Sequence, residues 1–390
     1  MRIIYIFAAD NPPLFNFKFR TTMKKNYLWI ASTVLFLFFA LTSCEREQET
    51  DKNQLLIDQL KAVTDSLLEA TDIPGIVALV VDHKRGIDWL YATGYSDIAN
   101  KRPMDGRHTF RIGSNTKTFT GTVLLQLVDE GKLQLEDKLS KYYPEFPYAD
   151  SITIAMLCNM SSGIYNFSDT EVWQEELFGN PTRVWTPQES VDIGFSEDFY
   201  FSPGQGWYYS NTNTIILGMI IEKLTGNTLE TEVNNRIVKP LKLSYTGLLT
   251  SGTDFPGTHG RAYYFGEYEE GADMTQFFDI SWAWAAGSVY STPRELQKYV
   301  EALVGGDFLS KELQQRRLDD MIVLSPRGSY GLCLLKRGSF FGHNGAVPGY
   351  TSSMYHSNEK ECTIIIYFNC MLEVMPDVLF GRYVKLMYGE

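Results

Sequence analysis

The chain is short of what a metal enzyme or a nucleic-acid binder needs. Its 390 residues include five cysteines and five histidines. Cys44, Cys158, Cys333, Cys362 and Cys370 form no C-x-x-C pair, and His83, His108, His259, His343 and His356 make no H-E-x-x-H or mixed cluster. Zinc sites show such spacing, so neither a metal nor another cofactor is expected. Cys333, Cys362 and Cys370 fall in apolar, strand-like stretches and read as small buried hydrophobes rather than a disulfide. Positive charge is also scarce: 35 Lys and Arg stand against 47 Asp and Glu, a net charge of −12. A phosphate-binding surface needs a basic face, so nucleic acid is not an expected partner. The G-x-S-x-G elbow of α/β-hydrolases is absent.

Long apolar runs are missing after the N-terminus, where one stretch stands out. Met23-Lys24-Lys25 precedes the almost wholly apolar run Tyr27 to Leu41. That run is short for a membrane span and suits the core of a signal peptide. It ends in Leu41-Thr42-Ser43-Cys44, which resembles a bacterial lipobox. The resemblance implies that Cys44 becomes the lipidated first residue of an exported cell-envelope lipoprotein, held on a membrane through its acyl chains. Residues 1–22 read as an upstream extension, 23–43 as the signal peptide and 44–52 as a charged tether. One globular domain then fills 53–390, where 44% hydrophobic content across the chain is ample for a large core.

Leu56, Leu60, Val63 and Leu67 recur at helical spacing, predicting a first helix over 53–70. Ile76–Val81 and Ile87–Thr93 read as strands joined by a hairpin at 82–86. After Ser114 the apolar positions Phe119, Val123, Leu124, Leu127 and Val128 follow a helix that Gly131 stops. The middle, from about Thr120 to Met274, is richer in helical patterns, with one clear helix from Ile215 to Leu224. Strand-like runs return at 331–335, 352–356 and 363–369. The expected fold class is therefore α+β, with one sheet completed by both ends of the chain and a helical lobe between them. The active site is expected between the two.

Three motifs carry chemistry. In Ser114-Asn115-Thr116-Lys117 the two reactive groups lie three residues apart on one helical face, so an amine can reach the hydroxyl and serve as its base. The spacing alone is weak: Ser357-Asn358-Glu359-Lys360 repeats it, but in a polar stretch between two strands, which reads as a turn. Tyr209-Ser210-Asn211 offers a phenol for proton exchange and an amide to orient lysine and substrate. The similar Tyr367-Phe368-Asn369 lies in an apolar run and reads as core strand. His343-Asn344-Gly345 is the only H-x-G in the chain, and its glycine permits close approach of backbone and substrate.

With all three in this order, the chain resembles the serine β-lactamase and DD-peptidase superfamily, whose members carry S-x-x-K sets. Its Tyr-x-Asn and His-x-Gly resemble the branch related to class C β-lactamases, of the Streptomyces DD-carboxypeptidase, esterase and D-aminopeptidase type. The likeness runs from about Leu56 to Tyr383. It includes Phe110 to Ser114, Ser161-Ser162-Gly163-Ile164, Trp284 to Ser288 and Gly345 to Gly349. It implies an antiparallel sheet flanked by helices, Ser114 as nucleophile, Lys117 as its base and Tyr209 as proton shuttle. Asn211 would hold the substrate amide, His343 would stand where class C β-lactamases place a lysine, and the amides of Ser114 and Ala346 would form an oxyanion hole.

Asn344, Gly345 and Trp282 are further candidates for substrate contact, with Trp284 and Tyr350 as other pocket walls. Lys336 stands near where the carboxypeptidase type places a carboxylate-binding arginine. The implied substrates are small peptides, amides, esters or β-lactams, with D-alanyl-D-alanine carboxypeptidase-like activity leading and a β-lactamase or esterase as alternatives. A rival of another class is an inactive, lipid-anchored penicillin-binding sensor, against which three intact motifs weigh.

Overall fold

In a computed structural model, residues 52–265, 271–326 and 328–390 are described. The chain divides into two units, Met1–Leu55 and Leu56–Glu390. Cys44, the signal peptide and nearly all of the tether fall outside the described residues. Of the first unit only 52–55 are described, and they are helical. The second unit opens with helical residues 56–69, called α1.

Among the described residues one large antiparallel sheet holds nine strands: β1 (Gly75–Asp82), β2 (Ile87–Asp97), β3 (Arg102–Pro103), β4 (Met321–Ser325), β5 (Gly328–Gly331), β6 (Leu334–Arg337), β7 (Phe340–Val347), β8 (Tyr350–Ser357) and β9 (Cys362–Phe368). Their order is β3-β2-β1-β9-β8-β7-β6-β5-β4. The N-terminal hairpin thus docks on the C-terminal strands through β1, where Ile76 pairs Phe368 and Asp82 pairs Cys362.

All eight residues of β1 are buried because both faces of the sheet are covered. Ile76, Ala78 and Val80 join α1 and the last helix, α6 (Asp377–Tyr388), in one apolar cluster. Val77, Leu79 and Val81 face the other way, into a larger core shared with the helical lobe. Each Val, Leu or Ile among them contributes roughly 1.5–3 kcal/mol when fully buried.

That larger core is organised by α2 (Thr116–Asp129), in which 11 residues, Thr116 to Leu125 and Leu127, are buried. The apolar stripe predicted one buried face, but α2 is enclosed nearly all round. Its threonines meet this burial by bonding backbone carbonyls: Thr118 donates to Asn115 O at 2.7 Å and Thr120 to Ala285 O at 2.7 Å. The lobe adds α3 (Glu171–Gly179), α4 (Pro187–Ser196) and α5 (Asn211–Thr225), the last ended by Gly226 at φ +70°. Outside the lobe, helix Pro293–Gly305 packs against the same side of the sheet.

The run 331–335 is not one strand. It is broken at Leu332-Cys333, where Cys333 takes φ +53° and packs onto α2, so close that a Cβ on Gly121 would lie 2.4 Å from Cys333 Cβ. Cys158, Cys333, Cys362 and Cys370 are all buried and free.

Candidate active site

Ser114 stands in a single 3-10 turn, Gly113–Asn115, immediately before α2 rather than inside it. The turn is pinned to the sheet from below. Asn115 Nδ2 donates to Ile112 O at 3.0 Å and to Ser352 Oγ at 2.8 Å, and the Ser352 hydroxyl donates to Ile112 O at 2.9 Å. Two glycines let turn and β7 interleave. A Cβ on Gly113, at φ +53°, would lie 2.6 Å from Ala346 N; one on Gly345 would lie 2.0 Å from Ile112 O and 2.8 Å from Ser114 N. The turn and β7 are therefore in close contact, and Ser114 and Ala346 both line one cavity.

Lys117 is fully buried, and burial pushes its amine down to about 7. Its Nζ lies 3.0 Å from Ser114 Oγ, 2.7 Å from Asn211 Oδ1 and 2.9 Å from Ala286 O. The last two are carbonyl oxygens and can only accept. A neutral amine has two N–H donors and one lone pair, so the two carbonyls take both protons and the lone pair is left for the Ser114 hydroxyl. Only the neutral form can act as base, so acylation is expected to rise with pH on an acid limb centred near 7, and to fall away below it. A pH profile of kcat/KM over about pH 5 to 9 checks this; a flat profile through neutrality would remove Lys117 as the base.

Tyr209 lies beside this pair, with Lys117 Nζ 4.8 Å from its ring centre. Its hydroxyl is enclosed and makes no well-formed hydrogen bond. Burial raises its pKa, and the Ser114 hydroxyl opposes that shift. His343 sits behind Tyr209, ring centres 6.1 Å apart. Its Nδ1 meets Asn344 O and therefore carries the proton; its Nε2 accepts from the Tyr330 hydroxyl at 3.2 Å. Burial and the Lys117 charge push His343 down to about 3, so the ring is neutral and both nitrogens are engaged.

The cavity in front of Ser114 has a volume of about 450 Å³. Apolar walls dominate it, among them Phe167, Trp173, Phe178, Trp282 and Met371, with Ser168, Gln174 and Asn211 as polar points. No charged side chain lines it among the described residues. Trp282 is thus a wall as expected, whereas Trp284 packs on Gly218 and the Tyr350 hydroxyl donates to Gly260 O.

Two expected substrate contacts, Asn344 and Lys336, are corrected by their positions. Asn344 follows His343 on β7, so the strand's alternation turns its side chain to the opposite face of the sheet, where Nδ2 donates to Asp377 at 2.9 Å. Gly345 lacks a side chain, which lets β7 reach the turn that carries Ser114. Lys336 lies over the Phe341 ring at 5.1 Å and borders a different hollow; Arg337 beside it pairs with Asp377 at 2.9 Å. The motifs also missed residues that complete the centre. Ala286 O holds the lysine, Tyr330 holds His343, and Asn166 and Ser168 bracket Asn211.

Comparison with known proteins bears on the family and the fold. Penicillin-binding protein 4* of Bacillus subtilis is 28% identical over 335 residues, covering 76% of this chain and 71% of its own length. The putative penicillin-binding protein PbpX of the same organism is 26% identical, with 71% of this chain and 66% of its own length covered. Among solved structures, a D-stereospecific amidohydrolase from Streptomyces sp. superposes with a TM-score of 0.76 at 30% identity, over 86% of this chain and 98% of its own. The D-amino acid amidase of Ochrobactrum anthropi SV3, solved with L-phenylalanine amide, gives 0.75 at 29%, over 86% and 99%. The Beta-lactamase family profile matches residues 60–384, and the chain belongs to that family, within the serine β-lactamase and DD-peptidase superfamily.

Proposed function

We propose that the chain is a serine hydrolase working through an acyl-enzyme on Ser114, acting on small amide or ester substrates with an apolar acyl part. The observation that carries this reading is Lys117 Nζ, buried 3.0 Å from Ser114 Oγ and held there by the two carbonyls of Asn211 and Ala286. Ser114 Oγ attacks the substrate carbonyl carbon as its proton passes to Lys117 Nζ, and the oxyanion is met by the amides of Ser114 and Ala346. The C–N or C–O bond then breaks, and the Tyr209 hydroxyl, resupplied from Lys117, gives its proton to the leaving group. Water repeats the sequence in reverse on the acyl-serine. His343 acts through its packing against Tyr209, since it has no free nitrogen.

Two observations favour an amide or ester over a carboxypeptidase substrate. A terminal carboxylate needs a cation, but no charged side chain lines the cavity among the described residues: Arg337 pairs with Asp377 and Lys336 borders a different hollow. The similar solved structures include a D-stereospecific amidohydrolase and a D-amino acid amidase. The lipobox-like Cys44 supports a membrane-held, exported enzyme as part of the same proposal.

Intact mass after exposure to an aryl ester, an aromatic D-amino acid amide and a penicillin tests the reading, beside Ser114→Ala. A covalent adduct or turnover that depends on Ser114 is expected with the ester and amide. Hydrolysis that survives Ser114→Ala would overturn it.

A further inference from the structure

A carboxamide is nearly symmetrical in shape but not in chemistry, and only one end of Asn211 can help Lys117. If Nδ2 rather than Oδ1 faced Nζ, two donors would oppose each other and the lysine lone pair would lose its direction. What decides the orientation lies on the far side of Asn211. There Nδ2 donates to Ser168 Oγ at 2.9 Å. Ser168 in turn donates its own proton to Asn166 Oδ1 at 3.2 Å.

The polarity of this chain follows from its ends. Asn166 Oδ1 also receives the backbone N–H of Asn211 at 2.9 Å, and a backbone N–H can only donate. Asn166 Nδ2 donates to Asp169 Oδ1 at 2.7 Å, and a carboxylate can only accept. Asn166 is therefore held with its oxygen towards Ser168. The serine proton is drawn to that oxygen, and its lone pair is left to accept from Asn211 Nδ2. Oδ1 is thereby turned to Lys117.

We infer that Ser168 is a positioning residue, which fixes the carboxamide of Asn211 so that its oxygen meets Lys117 and keeps the lysine lone pair on Ser114. This rests on the acyl-serine reading above. Ser168 stands in the 3-10 turn Phe167–Asp169, more than 40 residues from Asn211 in sequence (|i−j| 43), and belongs to none of the three motifs.

The test is the acylation rate of the full chain with a chromogenic aryl ester under single-turnover conditions. One lost hydrogen bond of this kind is worth roughly tenfold in rate. Ser168→Ala is expected to lower the acylation rate constant about tenfold with a smaller change in half-saturating ester. Ser168→Thr, which keeps the hydroxyl, is expected to recover most of that loss.

Because Ser168 also touches the cavity, a second pair separates positioning from substrate contact. Asn166→Asp sets two carboxylates against each other and is expected to slow acylation. Asp169→Asn added to it restores a donor–acceptor pair with its direction reversed, residue 169 now donating to residue 166, while residue 166 still turns an oxygen to Ser168; it is expected to restore the rate. Wild-type acylation in Ser168→Ala, or a threonine variant no better than alanine, would overturn the inference, as would a double variant as slow as Asn166→Asp. Acylation that persists in Ser114→Ala would instead remove the functional reading on which it rests.

Discussion

Lys117→Met is expected to lower the acylation rate by about 10²–10⁴-fold, the range a positioned general base contributes. Methionine fills similar space, so packing around α2 changes little, and the loss isolates the amine. The stability of the same variant carries an independent signature. A lysine whose folded pKa lies near 7 and whose unfolded pKa is the ordinary 10.5 must give up a proton to fold at any pH between those values. The unfolded wild type binds more protons there, so its stability rises with pH across that window. Below about 7 the penalty is constant, and above 10.5 it has gone.

Lys117→Met has no such slope. Relative to wild type it is expected to be most stable near neutrality and to lose that advantage steadily towards alkaline pH. The absolute difference is smaller than the shift alone implies, because Asn211 Oδ1 and Ala286 O lose their donor, at about 1–3 kcal/mol each. Paired thermal melts at neutral and alkaline pH read the effect. A difference that does not shrink with pH would mean that Lys117 is charged in the folded protein, and the base role would fall with it.

What was legible in the sequence followed the periodicities. β1 and β9 are buried on both faces and read as continuous apolar runs, and α2 announced itself by its stripe and its Gly131 stop. The pairing of Ser114 with Lys117 was legible because a helical turn brings residues three apart together, and the 3-10 turn that runs into α2 keeps that spacing. The decoys separated correctly on context: Lys360 N donates to Ser357 Oγ within a turn, and Tyr367 is core.

Asn344 could have been placed by the same period-2 rule, since a strand that turns His343 to the site turns its neighbour away. The motif's compactness hid that. Cys333 was not legible, because an apolar run conceals a left-handed turn unless a glycine marks it. Asn166 and Ser168 look like ordinary loop polars. Their role exists only where the loop around 166 meets the start of α5, some 45 residues away (|i−j| 45).

Gly345→Ala is expected to cost as much activity as the loss of an oxyanion donor, about 10²–10³-fold in kcat. The added Cβ would sit 2.0 Å from Ile112 O and 2.8 Å from Ser114 N, both backbone atoms. Neither can yield easily. Ile112 O already receives Asn115 N, Asn115 Nδ2 and the Ser352 hydroxyl, three bonds that hold the turn on the sheet. The strand must therefore move away from the turn, and that separates the amides of Ser114 and Ala346. Overpacking of this kind also destabilises by roughly 1–3 kcal/mol, so a lowered melting temperature should accompany the lost rate. Gly381→Ala on the outer face of α6 supplies the contrast. Its Cβ meets nothing within 4 Å, so it should leave the rate unchanged and stabilise slightly through the better helix propensity of alanine. Steady-state rates and melts of the two variants check the pair. A Gly345→Ala enzyme that turns over like wild type would show that Ser114 N and Ala346 N need not stand together, and the oxyanion site would have to be sought elsewhere on the cavity wall.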